Sequence, residues 1–274
     1  MTERKTAQAT LREVCKEDFL PIVLQLMTDL AAGRKAIVPC SNQTTDKALR
    51  FLISHIQKST VNDCTEDSIR ALLREVLGVD TLPAITIVTE GVHRLKSGFV
   101  IAAGTARVEI SGTGLLIAFG DAMIIARERV SIHGSGSARL NLYDYVLAQL
   151  DGDVQVNSYQ YVTGRASGNV SGTARGKSRW IVSEDAIFDT YDNATVDGDG
   201  NVRLRSYGSS RVRGRGGKVV AQLFEGANGW FGAGSTIELN GHCIAYAHSD
   251  THTTSKSGSA RVMPLSQSED FVWS

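Results

Sequence analysis

Residues 136–159 read GSARLNLYDYVLAQLDGDVQVNSY and contain three copies of an eight-residue pattern, which begin at Gly136, Asp144 and Gly152. The third and fifth positions of each copy are apolar, and the intervening positions are mostly polar. Alternate residues of a β-strand point to opposite faces, and glycine permits the tight bend that closes a strand. Each octad therefore predicts one short strand followed by one corner.

The pattern extends from about Gly98 to about Val262. A column read in steps of eight from Val100 to Val220 has sixteen members, and all but Gly164 and Gly172 are apolar, where an apolar content of 42% predicts about seven. Glycine recurs four positions after this column, at Gly104, Gly112, Gly120, Gly136, Gly152, Gly168, Gly176, Gly200, Gly208 and Gly216. A fixed short period of this kind is typical of a solenoid, whose units bury their apolar faces against their neighbours.

The outward positions indicate how many octads form one coil. Tyrosines and one arginine recur every sixteen residues, at Tyr143, Tyr159, Arg175, Tyr191 and Tyr207. Opposite charges are also sixteen apart, as Asp189 with Arg205, Asp197 with Arg213, and Asp199 with Arg215. Residues one coil apart lie side by side on neighbouring strands, so a sixteen-residue coil pairs all of these and a coil of 24 pairs none. We predict a mainly β, two-sided β-solenoid of about ten coils, with one aromatic column.

Four octads carry a resemblance to a known kind of protein: GTARVEIS (104–111), GSARLNLY (136–143), DNATVDGD (192–199) and GSSRVRGR (208–215). They resemble the Ala-x-Val solenoid repeats of actinobacterial and gut-phage proteins and, more loosely, the β-helices of bactofilins. The resemblance covers about three-fifths of the chain. It implies the architecture and says little about activity, because such repeats accompany many functions.

Residues 1–89 predict helices rather than strands. One helix is expected from Thr10 to Gly33, with a kink or a break into two helices at Pro21. A second is expected from Thr45–Asp46 and a third from Thr65 to Gly78. Residues 85–88 then predict the first strand. The predicted organisation is a helical cap or bundle (1–89), the β-solenoid (90–262) and a C-terminal tail or plug (263–274). In the tail, Phe271 and Trp273 are expected to cover the last coil of the same chain or that of a second subunit.

The first coils give the reason to expect a cap. Their outward positions are apolar, at Ile101, Leu115, Ile117, Phe119, Met123 and Ile125, and become mostly polar from Ser131 onward. An apolar outer face requires a cover, which the helices can supply. A partner protein on this face, an independent helical binding module and a helix-turn-helix DNA reader are the alternatives, and the last helix lacks the basic side chains that a DNA reader needs.

Two surfaces are candidate binding sites. The aromatic column (Tyr143, Tyr159, Arg175, Tyr191, Tyr207) could stack bases but is also explained as a structural ladder. The basic segment 203–218, with Arg203, Arg205, Arg211, Arg213 and Arg215, could bind anions or nucleic acid. Asp189, Asp197 and Asp199 in the preceding coil favour a paired charge ladder instead. Nucleic acid is therefore not the expected partner.

Neither a metal centre nor a catalytic site is predicted. His248, Asp250 and His252 form the one cluster of metal-ligand residue types, and they fall in a terminal coil. Apolar residues occupy odd positions from Val219 through Ile237 and Leu239, so the register before this coil is expected to have slipped by one residue. No nucleophile elbow or phosphate loop is present. Some β-helices act on polysaccharides with paired carboxylates, for which Asp151/Asp153, Glu184/Asp185 and Asp197/Asp199 are available. Of these, only the Asp197/Asp199 pair shares a face.

Composition completes the expectations. The 29 basic and 29 acidic side chains cancel, which argues against a general polyanion binder. The four cysteines lack paired spacing, no membrane span or signal peptide is evident, and a cytoplasmic protein without cofactors is expected. We predict a non-catalytic scaffold that binds a protein, encoded by a phage or mobile element. Self-assembly through the solenoid ends or the tail is the alternative.

Overall fold

The computed structural model describes residues 24–25, 27–29, 52, 56, 64–215 and 217–265. The described chain forms two compact units. The first comprises residues up to 124 together with 128–133, and the second comprises 125–127 together with 134 onward. The predicted plug residues Phe271 and Trp273, and the bounds of the first two predicted helices, lie outside the described residues.

Helix α1 spans Glu66–Leu77 and confirms the third predicted helix. Thr65 is its N-cap, and the Thr65 hydroxyl accepts a hydrogen bond from the Ser68 backbone N–H while the Ser68 hydroxyl accepts one from the Thr65 N–H. Gly78 ends the helix in the left-handed conformation at φ 65°, which glycine adopts without a steric penalty. Ile69, Leu73 and Leu77 recur every four residues, so they form one buried face.

This face is part of the core of the first unit. It shares one apolar cluster with Met27, Leu52 and Ile56 and with the outward side chains of the first coils, namely Phe99, Ile101, Leu115, Ile117 and Phe119. Ile101 and Ile117 are fully buried and Phe119 is 4% exposed. The predicted cover over the first coils is therefore confirmed. It does not extend to Met123, which is 38% exposed.

The described residues contain 21 strands. They are β1 (Thr86–Val88), β2 (Val92–Ala102), β3 (Arg107–Ala118), β4 (Met123–Ala126), β5 (Arg129–Gly136), β6 (Arg139–Leu142), β7 (Leu147–Gly152), β8 (Gln155–Ser158), β9 (Thr163–Ser167), β10 (Ser171–Ala174), β11 (Arg179–Ser183), β12 (Ile187–Thr190), β13 (Thr195–Asp199), β14 (Arg203–Ser206), β15 (Arg211–Gly214), β16 (Val220–Glu225), β17 (Asn228–Phe231), β18 (Thr236–Gly241), β19 (Ile244–Ala247), β20 (His252–Lys256) and β21 (Arg261–Pro264).

In the second unit these strands form two parallel stacks. Even-numbered strands from β6 to β20 pair with one another, and odd-numbered strands from β7 to β21 pair with one another. Partners are sixteen residues apart through Gly214, as with Leu140 and Val156 in the even stack or Trp180 and Val196 in the odd stack. Two strands per sixteen residues make a two-sided coil, so the predicted parallel β-solenoid and its period are confirmed.

The interior is narrow, and two large rings fill it. Trp180 and Phe188 are fully buried with their ring centroids 5.3 Å apart. Each faces a glycine of the neighbouring coil. A Cβ on Gly164 would lie 2.3 Å from the Trp180 ring, and one on Gly172 would lie 2.8 Å from Phe188. The two glycines that interrupt the apolar column therefore leave room for these two rings, as the sequence predicts.

Most of the described corners use a positive backbone φ. Glycines of the predicted column supply many of them, for example Gly168 at 84° and Gly208 at 64°. At other corners this conformation is held by Glu128, Asp144, Gln160, Glu184 or Asp192, with φ from 59° to 67°. The corner geometry is thus retained even where the side chain is unfavourable for it.

The register changes near the end of the solenoid. Arg203 pairs with Val220, seventeen residues on, so one extra residue lies between Arg215 and Val219. This confirms the predicted slip by one. A second shift occurs in β20, where Ile237 pairs with Thr253 but Glu238 pairs with Ser255. The two shifts explain why the octad pattern fades after residue 216.

Candidate binding faces

The outward side chains of the even strands from β6 to β20 form what we call the even face. Its aromatic column is a stack of parallel rings, with centroids 4.8 Å apart for Tyr143–Tyr159 and 4.9 Å apart for Tyr191–Tyr207. The Arg175 guanidinium lies 4.7 Å from the centre of the Tyr191 ring. Phe224 extends the stack at 4.8 Å from Tyr207. Tyr143 and Tyr159 therefore lie on the same side of the coil, as a two-sided solenoid requires.

The expectation of a single aromatic column is wrong. Tyr145 and Tyr161 stack at 5.1 Å in the corner after the even strands, and the Lys177 ammonium lies 5.5 Å from the Tyr161 ring. Both tyrosines are exposed, by 58% and 46%. The sixteen-residue separation was the signal for this second column, but it falls in a corner rather than on a strand.

Beside the aromatic column runs a polar ladder. Asn157 Nδ2 donates to Asn141 Oδ1 at 3.1 Å, and the Thr173 hydroxyl donates to Asn157 Oδ1 at 2.8 Å. Arg205 Nε lies 2.6 Å from Asp189 Oδ1. Further along, Gln222 donates to Glu238 at 2.6 Å, and this hydrogen bond and a second from Asn240 lower the pKa of Glu238. Apart from the Asn240 hydrogen bond, which lies within β18, these contacts join side chains of neighbouring coils, so the ladder fixes the strand register.

A shallow depression of about 250 Å³ interrupts the ladder at Gly172. Its floor is Gly172 and Val156, and its walls carry Gln155, Asn157, Asp189 and Arg205.

The outward side chains of the odd strands from β7 to β21 form the odd face. Trp230 and Tyr246 stack on it with centroids 5.5 Å apart and planes within 10°, and the Arg213 guanidinium lies 5.7 Å from the Trp230 ring. Trp230 and Tyr246 are sixteen residues apart, so the period was a signal for this pair that sequence reasoning missed. Their link to Arg213 had no such signal, because the extra residue after Arg215 separates Arg213 from Trp230 by seventeen positions.

The basic segment 203–218 is divided between the two faces. Arg203 and Arg205 belong to β14 on the even face, whereas Arg211 and Arg213 belong to β15 on the odd face, with Arg215 directly after it. The corner at Gly208 separates the two groups. The segment is therefore not one surface, and its arginines join different neighbours on each side.

On the odd face, Asp197 is the recessed acidic group. Its Oδ2 lies 3.6 Å from Arg215 Nη2 and its Oδ1 lies 3.9 Å from Arg213 Nε, while its side chain is 15% exposed. Arg215 approaches Asp197 rather than its predicted partner Asp199. Burial raises the pKa of Asp197, and the nearby Arg213, Arg215 and Arg179 oppose this shift without reversing it. The predicted pairs Asp189–Arg205 and Asp197–Arg213 are brought together.

The histidine cluster lies on the exposed surface of the last coils. His248 Nδ1 is 3.7 Å from Asp250 Oδ2 in a turn, and His252 is in β20. Within the described ranges, no group of three His, Cys, Asp or Glu side chains is placed to hold a metal ion. Cys64 and Cys243 are free thiols, and burial raises the pKa of Cys243.

Comparison with known proteins does not classify this chain, so its classification rests on the fold. No protein-family model, no curated protein and no solved structure matches the chain. None of the helical segments that the structure describes has the length and apolarity needed to cross a membrane. The architecture defines the class of protein, a parallel, two-sided β-solenoid with sixteen residues per coil. Its first unit also contains helical segments, whose apolar side chains share a core with the first strands.

Proposed function

We propose that this chain is a non-catalytic scaffold that binds a protein partner through the odd face of its solenoid. The observation that carries the proposal is the Arg213–Trp230–Tyr246 stack, which stands beside exposed arginines and the 42% exposed Ile181. Arginine, tryptophan and tyrosine are the residue types enriched where proteins bind each other. Their stacking on a regular sheet holds them in place before binding, which lowers the entropy lost on association.

Two further features support the proposal. The carboxylate pair that shares a face, Asp197 and Asp199, adjoins Arg213 and Arg215, and Asp197 is recessed between them. This arrangement suits a charge network better than general acid–base catalysis. The octads also resemble those of gut-phage and actinobacterial proteins, which supports a phage or mobile-element origin. The free thiols Cys64 and Cys243 are compatible with the reducing cytoplasm.

Site-specific photocrosslinking tests the proposal. A photoreactive residue is placed at Thr195 on the odd face or, as the matched control, at Thr236 on the even face, in the cell that expresses the protein. A defined protein should crosslink from Thr195 and much less from Thr236, and should form a stoichiometric complex when both components are purified. The absence of a protein adduct from Thr195, or equal capture from both positions, would contradict the proposal.

Self-assembly is the second candidate, favoured by the last coil. Strands β20 and β21 each pair with one described strand only, and all of their side chains are exposed, including Val262 at 39% and Met263 at 43%. Unpaired strand edges are templates for association. If this function holds, light scattering shows a mass that rises with concentration, and the variant Val262→Lys/Met263→Lys reduces it to that of one chain. A wild-type mass of one chain at every concentration excludes it.

A further inference from the structure

The odd face has a strong positive charge that the neutral composition conceals. The outward positions of strands β9, β11, β13 and β15, together with Arg215 directly after β15, carry five arginines and two aspartates. Their net charge is +3 (5 − 2), whereas the formal net charge of the whole chain is +0. We call these five the arginine surface: Arg165, Arg179, Arg211, Arg213 and Arg215. The surface surrounds Asp197, with Arg165 and Arg179 on one side and the other three in the next coil.

Part of this charge is unpaired. Arg165, Arg179 and Arg211 are exposed. Neither Arg165 nor Arg211 forms an ion pair or a side-chain hydrogen bond with any residue that the structure describes. The Asp197 side chain is only 15% exposed, so its carboxylate lies deeper than the exposed arginine side chains around it. The guanidinium groups therefore stand above the carboxylate and can reach a ligand that lies on the face.

The spacing of three of these arginines matches the spacing of alternate side chains in an extended peptide. Arg211, Arg213 and Arg215 alternate along one extended segment, so they point to the same side about 6.6 Å apart. An extended peptide has the same rise per residue. Carboxylates at every second position of such a peptide would thus face the three guanidinium groups one to one, in the planar geometry that arginine and carboxylate favour.

Two observations favour a protein over a nucleic acid. The rings that could stack bases are already covered, because Trp230 stacks on Tyr246 on one side and Arg213 lies over its ring. Ile181, beside Asp197 in the column, offers apolar contact instead.

We propose that the arginine surface binds an extended acidic segment of a protein partner, with carboxylates at alternating positions facing Arg211, Arg213 and Arg215. This inference rests on the proposed protein-binding function and names the chemistry of the partner segment. Because the bonds are charge-assisted and partly exposed, binding weakens as salt concentration rises.

Two labelled peptides of identical composition test the register, the alternating SETETETS and the block STTEEETS, titrated against the full chain by fluorescence anisotropy. The alternating peptide should bind more tightly. The variant R211Q/R213Q/R215Q should lose about tenfold in affinity, because it removes three exposed charge-assisted contacts that each contribute only modestly. The matched control R139Q/R203Q/K256Q removes three exposed charges from even strands and should bind as the wild type does. D197N, which removes a repelling charge, should bind more tightly.

Circular dichroism melting of each variant confirms that the proteins compared are folded. Equal affinity for the two peptides, or no binding of either by the wild type, overturns the acidic-segment proposal. A thymidine octanucleotide that binds as tightly as the alternating peptide, and is lost in the same triple variant, also overturns it and indicates a general polyanion site. A partner crosslinked from Thr195 would survive these results, so the two proposals fail separately.

Discussion

At the scale of single residues, the solenoid depends on corners that few side chains tolerate. The repeating positive φ is met by glycine at most corners and by Glu128, Asp144, Gln160, Glu184 or Asp192 at others. For a non-glycine residue this conformation costs about 1–2 kcal/mol. Glycine has a second role at some corners, because a Cβ would strike the backbone of the coil below.

Two glycine substitutions separate these roles. Gly208 has φ 64°, and a Cβ added there would meet no atom within 4 Å, whereas at Gly168, with φ 84°, a Cβ would lie 2.8 Å from the Gly152 nitrogen. Gly208→Ala should lower the free energy of unfolding by about 1 kcal/mol, from backbone strain alone. Gly168→Ala should cost clearly more. Equal losses in urea denaturation would show that contact between corners contributes nothing.

Asp197 gives the chain a specific pH dependence. Its pKa is raised in the folded state, so between the unfolded value near 3.8 and the folded value the native chain holds more protons than the unfolded chain. The contribution of Asp197 to stability therefore decreases as pH rises through this interval. Asp197→Asn should remove that decrease and be at least as stable as the wild type at pH 7.

The control is Asp189→Asn, which breaks the 2.6 Å ion pair with Arg205 and should destabilise the protein at pH 7 by about 0.5–1 kcal/mol. Urea titrations at pH 3, 5 and 7 distinguish the two. A loss at pH 7 in Asp197→Asn as large as that in Asp189→Asn would mean that its arginine contacts outweigh its burial.

At the scale of strands, the narrow interior makes neighbouring coils interdependent. Trp180 and Phe188 use the volume left by Gly164 and Gly172, and the Trp180 indole N–H donates to the Ser158 hydroxyl at 2.9 Å. The largest side chains are therefore supported by residues one coil away. A substitution in one strand must therefore alter the side-chain packing of the neighbouring strands.

Coupling between Gly172 and Phe188 tests this dependence. Gly172→Ala should cost about 1–3 kcal/mol, because the new Cβ would lie 2.7 Å from Val156 Cγ1 and 2.8 Å from the Phe188 ring. Phe188→Leu removes ring atoms from that space, so the double variant should be more stable than the sum of the two losses predicts. Additive losses in a thermal-melting double-mutant cycle would contradict the packing.

At the scale of the whole molecule, the sequence predicts the repeat well because stacked coils need like or complementary side chains one period apart. Tyr143 with Tyr159, and Asp189 with Arg205, carry that signal directly. Apolar outward residues such as Ile101 and Ile117 likewise predict that another segment packs over them, because a large apolar surface must be buried.

Other features lack such a signal. The single extra residue after Arg215 shifts the period, so Trp230 and Tyr246 cannot be assigned to the column of Arg213 until the register is known. The linear run of arginines conceals the corner at Gly208, which sends Arg205 and Arg213 to opposite faces. The composition of each candidate binding face thus depends on the register to one residue, whereas the fold depends only on the average period.

The distance between Thr163 and Arg261 tests the coil most directly. These residues are six register steps apart on the odd strands, from β9 to β21. At about 4.8 Å per step, spin labels on cysteines at both positions should be about 29 Å apart in pulsed electron paramagnetic resonance, and labels at Thr163 and Asn228 about 19 Å. A 24-residue coil would place the first pair only about 19 Å apart, and that result would contradict the sixteen-residue solenoid and both of its faces.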